Sequence, residues 1–346
     1  MRKPVYLLLA IVLFCSHDLY VKMDSYFLQS NERATLSLYN GTFEKSENII
    51  TRDRMLDASI IAQGQRTAIY PNQWKDQDST ITRLPFMTGE PGTYVAGVAT
   101  KARNIELTAK KFNDYLKHDG VLDMLEQRAN DSTLNQDAVE RYEKHVKAIY
   151  QVGDVKTNDW STTLNYPIEF VPLENPYKKY SGEALEVQLL LDGQPLSDQL
   201  VYANYLKSSH GHTHHDHDHN HSDGHEHSHE HVDDDHNHSH TSETAESHTH
   251  TNGQQLRTND QGIVVVNLPE DGIYYLRTIH MTTVTDNDTL THQSKWATLT
   301  FEVGHEHGVA THTHDYEHEH GFLTWVFVLG SLLIIGVLFL IFRKKK

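Results

Sequence analysis

An uncharged apolar segment near the carboxyl end places the strongest constraint on how this chain can fold. Residues Phe322 to Phe342 are 21 consecutive residues without a charge, about the length that crosses a hydrocarbon core of roughly 30 Å as a helix. The basic residues Arg343 to Lys346 follow at once, and such clusters stay on the cytoplasmic side. The sequence therefore predicts a transmembrane helix at 322–342 and a cytoplasmic basic tail at 343–346.

The amino terminus has the features of a secretory signal peptide. Arg2 and Lys3 precede an apolar run from Tyr6 to Phe14 that is too short to span a bilayer. We assign residues 1–16 to this signal, so that the region up to residue 320 is exported. Lipid attachment at Cys15 is an alternative, which the bulky residue before it disfavours. Because Cys15 is the one cysteine, the exported region has no disulfide.

Histidine is concentrated in two segments. Of the 27 histidines, 16 lie between His210 and His250 and six between His305 and His320. We call residues 208–257 the histidine loop and residues 305–320 the juxtamembrane linker. Between His210 and His250 the loop also holds ten carboxylates and no Lys or Arg, and this part supplies most of the net charge of -17. This negative balance argues against nucleic acid as a partner, since nucleic acid requires a basic face, and it favours cations.

Most of the exported region has strand-like patterns. Short alternating runs predict a β region over 17–104, and six later runs predict a β-sandwich over 165–304. The six runs are Ile168–Val171, Leu185–Leu191, Leu200–Tyr205, Ile263–Leu268, Ile273–Met281 and Trp296–Val303. The fold class we predict is mainly β, with two β-sandwich-like regions, a small helical insert and one C-terminal transmembrane helix.

The helical insert is predicted over residues 105–152. Apolar residues switch to helical spacing from Glu106 to Lys117 and again from Gln136 to Tyr150. Gly120 and Gly153 follow these segments, and glycine ends helices because it adopts the left-handed conformation cheaply. We therefore expect two or three helices here.

The histidine loop is inserted between two predicted strands of the sandwich. It has almost no aliphatic side chains to bury, so burial cannot offset the entropy of ordering the chain. We expect it to be disordered until a ligand binds it. With histidine neutral the charge of residues 210–250 is -10, and protonation of all 16 histidines would bring it to +6. A pH sensor is therefore a second interpretation of the loop.

The composition of both segments predicts metal binding. Neutral imidazole is a ligand for zinc, nickel and copper, and carboxylates can complete the coordination. The spacing is mostly His-x-His, and alternate side chains of an extended chain point to the same side, so neighbouring pairs can chelate one ion. The predicted ligands are His210, His212, His214, His215, His217, His219, His221, His225, His227, His229, His231, His236, His238, His240, His248 and His250 in the loop, and His305, His307, His312, His314, His318 and His320 in the linker. A solvated linker or an engineered tag is the alternative, but a tag would be terminal and compact.

Five histidines lie outside these segments. His118, at a helix end, and His145, between lysines on a predicted helix, are expected to be structural or solvated. His280, late in a strand, and His292, in the hairpin after it, are more typical of packed or exposed residues than of ligands. His17 is different, because it lies at the predicted signal cleavage site.

Each plausible cleavage position gives His17 a chelating role. Cleavage after Cys15 leaves Ser16-His17, whose amine, amide nitrogen and imidazole suit nickel or copper. Cleavage after Ser16 leaves a terminal amine plus the His17 imidazole. Cleavage before Cys15 leaves an x-x-His terminus, which also chelates copper and nickel.

Several segments resemble a family of bacterial periplasmic proteins with a conserved domain of unknown function, some of which are periplasmic components of nickel/cobalt uptake systems. The segments are HDLY from His17, GTYVAGVATKAR at 92–103, FNDYLKHDGVLDMLEQR at 112–128, ERYEKHVKAIYQVGD at 140–154, NYPIEFVPLENPY at 165–177, Leu185 to Val201, GIYYLRTIHM at 272–281 and KWATLTFEV at 295–303. The DGQPL turn and TNDQG also resemble a transthyretin-like or carboxypeptidase-regulatory β-sandwich. The resemblance implies a metal-related role, with His17 as the amino-terminal ligand and His280 as the family's strand-end histidine.

The chain departs from this family in its much longer histidine loop, and it lacks the set of membrane helices that a transporter needs. We expect a membrane-anchored metal-binding protein that captures or buffers nickel, cobalt, zinc or copper for a membrane transporter. The alternative is a cell-envelope interaction or adhesion module whose histidines only buffer metal. No nucleophile elbow, phosphate loop or HExxH motif is present, so we do not expect an enzyme.

Overall fold

The computed structural model describes residues 17–207, 251–287 and 289–305. These residues form nineteen strands and two α-helices, α1 (Ala109–His118) and α2 (Leu122–Asn130). The strands are β1 (Asp18–Lys22), β2 (Phe27–Leu28), β3 (Arg33–Gly41), β4 (Ser46–Asn48), β5 (Met55–Ala62), β6 (Gln65–Ala68), β7 (Lys75–Gln77), β8 (Ile81–Met87), β9 (Gly92–Thr100), β10 (Arg103–Leu107), β11 (Ala138–Val152), β12 (Ile168–Pro172), β13 (Glu183–Leu191), β14 (Gln194–Pro195), β15 (Leu200–Lys207), β16 (Gln254–Arg257), β17 (Ile263–Leu268), β18 (Gly272–Thr283) and β19 (His292–Val303). The prediction of a mainly β chain is confirmed.

Several predicted segments lie outside the described residues. They are the signal peptide at 1–16, residues 208–250 of the histidine loop, residues 306–320 of the linker, the membrane span at 322–342 and the tail at 343–346. Among the residues that are described, no helix is long and apolar enough to cross a membrane.

A ten-stranded central sheet joins strands from both predicted β regions. Its order is β16-β15-β18-β19-β11-β9-β5-β6, with β10 and β2 also paired to β11. Strand β11 is long enough to pair in parallel with β19 along residues 140–148 and antiparallel with β9 along 149–152. The two β regions predicted as separate sandwiches are therefore joined in one sheet through β11.

Two smaller sheets cover opposite faces of the central sheet. The amino-terminal sheet has the order β1-β3-β8-β7, with β4 on β3, and the third sheet has β12-β13-β14, with β17 on β13. The hydroxyl of Thr298 in β19 donates to the Leu19 carbonyl of β1 at 2.9 Å. On the other face, Lys147 Nζ in β11 donates to the Phe170 carbonyl of β12 at 2.9 Å. The core thus lies in two layers, above and below the central sheet.

The prediction of a helix from Gln136 to Tyr150 is wrong, because this segment is β11. Every residue from Lys144 to Val152 is buried, as expected for a strand covered on both faces. Such a strand loses the apolar-polar alternation that identifies strands, and its apolar residues can match a helical spacing by coincidence. His145 accordingly lies on a strand, with its ring buried 5.5 Å from the ring of Tyr166.

The two helices pack on the same face of the central sheet as β1. They bury a separate apolar cluster formed by Phe112, Tyr115, Leu116, Val121, Met124, Ala138, Ile279 and Trp296. Helix α1 ends at His118, as predicted, and Gly120 follows it with φ of 72°. We call α1 and α2 together the helix pair. It is the part of the predicted helical insert that the structure confirms.

The histidine loop joins two neighbouring strands of the central sheet. Gln254 in β16 pairs with Ala203 in β15, so the chain leaves and re-enters the sheet at adjacent positions. The predicted loop boundary at residue 257 is too late, because residues 254–257 already pair with β15. Ladder hydrogen bonds and the ion pair of Arg257 with Asp123, at 2.8 Å, hold this polar strand in place.

Candidate metal-binding sites

His17 lies directly before β1, beside a carboxylate and a lysine. Its Nε2 is 3.0 Å from Glu47 Oε2 at the edge of the amino-terminal sheet. Its backbone carbonyl accepts a hydrogen bond from Lys144 Nζ of β11. Both the imidazole and the backbone of His17 are therefore fixed by strands that are distant in sequence.

A buried ion pair anchors the strand that follows His17. Arg277 Nε of β18 is 2.7 Å from Asp18 Oδ2, and both side chains are about 2% exposed. The Tyr20 hydroxyl donates to the same Asp18 oxygen at 3.0 Å. A second guanidinium nitrogen of Arg277 donates to the Asp119 carbonyl at 3.0 Å. Arg277 thus links the amino-terminal strand to the end of α1.

The charges in this region shift one another's pKa values. Burial alone would lower the pKa of Arg277, but the adjacent Asp18 carboxylate more than compensates and the pKa is raised. Burial lowers the pKa of Lys144 to about 8, although Asp18 again opposes the shift. Because Lys144 donates to the carbonyl of His17, its charge is part of what fixes this residue.

His280 occupies an open cleft of about 600 Å³ beside α2. Its Nδ1 is 2.9 Å from Gln199 Oε1. The amide nitrogen of Gln199 donates to the carbonyls of Leu200 and Ile279, at 3.3 and 3.2 Å. The Gln199 oxygen must therefore face the imidazole, so Nδ1 of His280 donates and Nε2 carries the lone pair. The pKa of His280 is lowered, mainly by burial and to a smaller extent by the positive charge of the nearby Lys295.

The structure does not join His280 to His17. Arg277 and His280 belong to the same strand, and side chains an odd number of residues apart point to opposite faces. Arg277 reaches Asp18 on the face that carries β1, so His280 lies on the face that carries the third sheet. The two histidines that the resemblance implies are therefore not brought together in one site.

His305, the first histidine of the juxtamembrane linker, is bound to a carboxylate. Its Nδ1 lies within hydrogen-bond distance of Asp271 Oδ2, and the Ser181 hydroxyl donates to Asp271 Oδ1 at 2.7 Å. Although burial opposes it, these two hydrogen bonds lower the pKa of Asp271. When Nδ1 donates to a carboxylate, the lone pair is on Nε2, which is the arrangement usual for metal-ligating histidine. The carboxylate stands between serine and histidine, so the three do not form a nucleophilic triad.

Both histidine-rich segments leave the fold at one end of the central sheet. Lys207, the last residue of β15, pairs with Gly272, which in turn pairs with Val303 of β19. His17 lies at the other end, because Lys144, which holds it, pairs with Trp296. The seven residue steps from Trp296 to Val303 span roughly 23 Å at 3.3 Å per residue. His17 thus lies at the opposite end of the central sheet from the positions where the two histidine-rich segments begin.

Within residues 17–207, 251–287 and 289–305, no group of three or more His, Cys, Asp or Glu residues is placed to hold a metal ion. Of the predicted ligands, His17, His280 and His305 are described, each with one ring nitrogen near an oxygen of Glu47, Gln199 or Asp271. The others, at 210–250 and 307–320, lie outside the described residues. These oxygen partners were not predicted, because 30 to 81 residues separate each pair and no local pattern marks them.

The histidines expected to be structural are packed as follows. His118 Nδ1 is 2.8 Å from Asp119 Oδ1 at the end of α1. His292 begins β19 rather than lying in the preceding hairpin, and its ring packs 4.6 Å from that of Phe112. Burial lowers the pKa of His292 to about 4.

The layered sheets and the helix pair define a β-sandwich-type protein. The sequence profile of the family described as Domain of unknown function (DUF4198) matches residues 15–282, and this chain belongs to that family. The match includes His17, the helix pair and β11, and it ends just after His280. No curated protein matches the chain.

Some solved structures are similar over most of the chain at low identity. The D0-D1 domain of intimin has 9% identity and a TM-score of 0.18, and the alignment covers 82% of this chain and 97% of that one. The adhesin InvE of Yersinia pseudotuberculosis has 10% identity and a TM-score of 0.19, with 83% and 58% covered. Murine CEACAM1b has 5% identity and a TM-score of 0.17, with 83% and 98% covered. Scores this low do not establish a shared fold, so these likenesses carry no functional argument.

Proposed function

We propose that this chain is a membrane-anchored, extracytoplasmic protein that captures or buffers a divalent transition metal and delivers it to a membrane transporter. The metal is nickel, cobalt, zinc or copper. The ligands are the histidines of the loop and the linker, together with a separate site at His17.

The contact between His305 and Asp271 carries this proposal. Holding Nδ1 of a histidine by a carboxylate fixes the ring and directs the lone pair of Nε2 outward. His305 begins the linker beside the strand end at Lys207 from which the histidine loop departs. A metal-capturing role accounts for two histidine-rich segments that start at one end of one sheet.

Calorimetric titration of the full-length protein in detergent with nickel, cobalt, zinc and copper tests the proposal. We expect several equivalents to bind at pH 7.5. The matched control replaces all 16 loop histidines with Asn, which preserves loop length and carboxylates, and most equivalents should then be lost. Unchanged stoichiometry in this variant would contradict the proposal. No binding by either protein would favour an interaction module instead.

A further inference from the structure

A second titratable group lies buried beneath the helix pair, away from the histidine sites. Glu140 of β11 is 1% exposed. Its Oε1 accepts hydrogen bonds from the Tyr115 hydroxyl of α1, at 3.1 Å, and from the Ser294 hydroxyl of β19. Trp296 Nε1 donates to Ser294 Oγ at 2.9 Å, so the serine hydrogen is left for Glu140.

The other carboxyl oxygen, Oε2, lacks a donor in the part of the chain that the structure describes. Among the described residues, none lies within hydrogen-bond distance of the buried Glu140 Oε2. Two cations of this region have other partners, since Lys144 donates to the His17 carbonyl and Arg277 pairs with Asp18. The ionised form of Glu140 would therefore place a buried negative charge without a contacting cation, and such a charge is costly.

The titratable and charged groups around Glu140 come from five elements. They are Tyr115 of α1 with its capping residue Asp119, Lys144 of β11, His292 of β19, Arg277 of β18 and Asp18 of β1. Burial raises the pKa of Glu140 to about 7; the hydrogen bonds from Ser294 and Tyr115 oppose this shift, and Asp119 adds to it. The carboxyl group of Glu140 thus changes its protonation state near neutral pH, within the pH range that an exported protein meets.

The helix pair can respond without disturbing the main core. Its apolar cluster is separate from the core between the sheets. Its side-chain contacts with strands of the central sheet include Tyr115 to Glu140, Arg277 to the Asp119 carbonyl, Tyr202 to the Gly120 carbonyl and Arg257 to Asp123. The first of these ends on Glu140, whose ionised form is destabilised by its burial beneath the helix pair.

We propose that Glu140 is a proton-controlled latch, which holds the helix pair closed on the central sheet when its carboxyl group is neutral and loosens it when the group ionises. Because the folded-state pKa of this acid is raised, its contribution to the closed state is full below pH 4.5 and is lost as the pH rises through about 7. Helix α2 lines the cleft that contains His280, so loosening the helix pair widens that cleft.

Hydrogen exchange of the full-length protein between pH 5 and 8, corrected for intrinsic rates, tests the latch. We expect the opening constant of residues 109–130 to rise by roughly 50-fold, from the difference between about 7 and the ordinary value of 4.5. Residues 183–191 of β13, which belong to the third sheet, serve as the internal reference and should not change. A wild-type helix pair whose protection is independent of pH would overturn the proposal.

Two variants and one control assign the effect to Glu140. Glu140→Gln should abolish the pH dependence in 109–130. Tyr115→Phe removes a donor that favours the ionised form of Glu140, so the midpoint of the pH dependence should move to higher pH. This variant tests the proposal even if Glu140→Gln does not fold. Glu126→Gln, at an exposed position of α2, should behave as wild type. A midpoint that Tyr115→Phe leaves unchanged, or a pH dependence that survives in Glu140→Gln, would show that another group titrates.

Discussion

Asp18 and Arg277 are almost fully buried, and one ion pair between them joins the amino-terminal sheet to the central sheet. Removing one partner of such a pair leaves the other charge buried and uncompensated. In contrast, the ion pair of Lys110 and Asp114 on α1 is largely exposed, and exposed pairs contribute little because solvent screens them.

We therefore predict that Asp18→Asn lowers the free energy of unfolding by about 3 to 5 kcal/mol, whereas Asp114→Asn lowers it by less than about 0.5 kcal/mol. Urea denaturation of both variants measures the difference. The double variant Asp18→Asn with Arg277→Met should lose less free energy of unfolding than Asp18→Asn alone. Equal losses in Asp18→Asn and Asp114→Asn would show that the ion pair does not anchor β1.

At the scale of elements, the position of the histidine loop determines how the chain tolerates its removal. Strands β15 and β16 are adjacent and antiparallel, so the loop closes a hairpin and contributes no strand between them. Chain-closure entropy varies only slowly with loop length, and a short turn can replace a long loop.

We predict that replacing Ser209 to Thr251 by a short turn preserves cooperative unfolding, with a melting temperature within a few degrees of wild type. Calorimetry checks this, and the full-length variant with Asn at the loop histidines controls for loop chemistry. If the loop-deleted protein unfolds without cooperativity while the Asn variant unfolds cooperatively, the loop has a structural role that the hairpin connection does not indicate.

On the scale of the whole molecule, His17 lies roughly 23 Å from the strand ends where the histidine-rich segments begin, and we expect a different kind of binding at each. Loop sites are expected to be numerous and weak, because each ion must order the chain that binds it. His17 is already held by strands, so a site built on it avoids most of that entropic cost.

We predict that the loop-deleted protein retains one tighter nickel or copper site. His17→Ala, or one extra residue ahead of the native amino terminus, should abolish it. His280→Ala should leave it intact, because His280 lies on the other face of the central sheet. Calorimetry with nickel and copper distinguishes these outcomes, and loss of the site in His280→Ala would contradict the geometry.

The pH dependence of the loop should follow from its imidazoles. Metal ligands must be deprotonated, and free imidazole has a pKa near 6.5, so metal is bound above that value and lost as the pH falls through it. We predict release of most equivalents between pH 7.5 and 5, measured by metal analysis after dialysis. Full retention at pH 5 would indicate carboxylate or backbone sites instead.

Local patterns in the sequence determined much of this protein. Alternation and turn residues located the strands at 168–171, 185–191 and 263–268, because these features depend on neighbours a few residues apart. Only the tertiary structure decided that β11 is a strand, since burial on both faces removes alternation. It also decided that Asp18 meets Arg277 and that the histidine-rich segments start together, because such contacts depend on how distant strands pair, which no local pattern encodes.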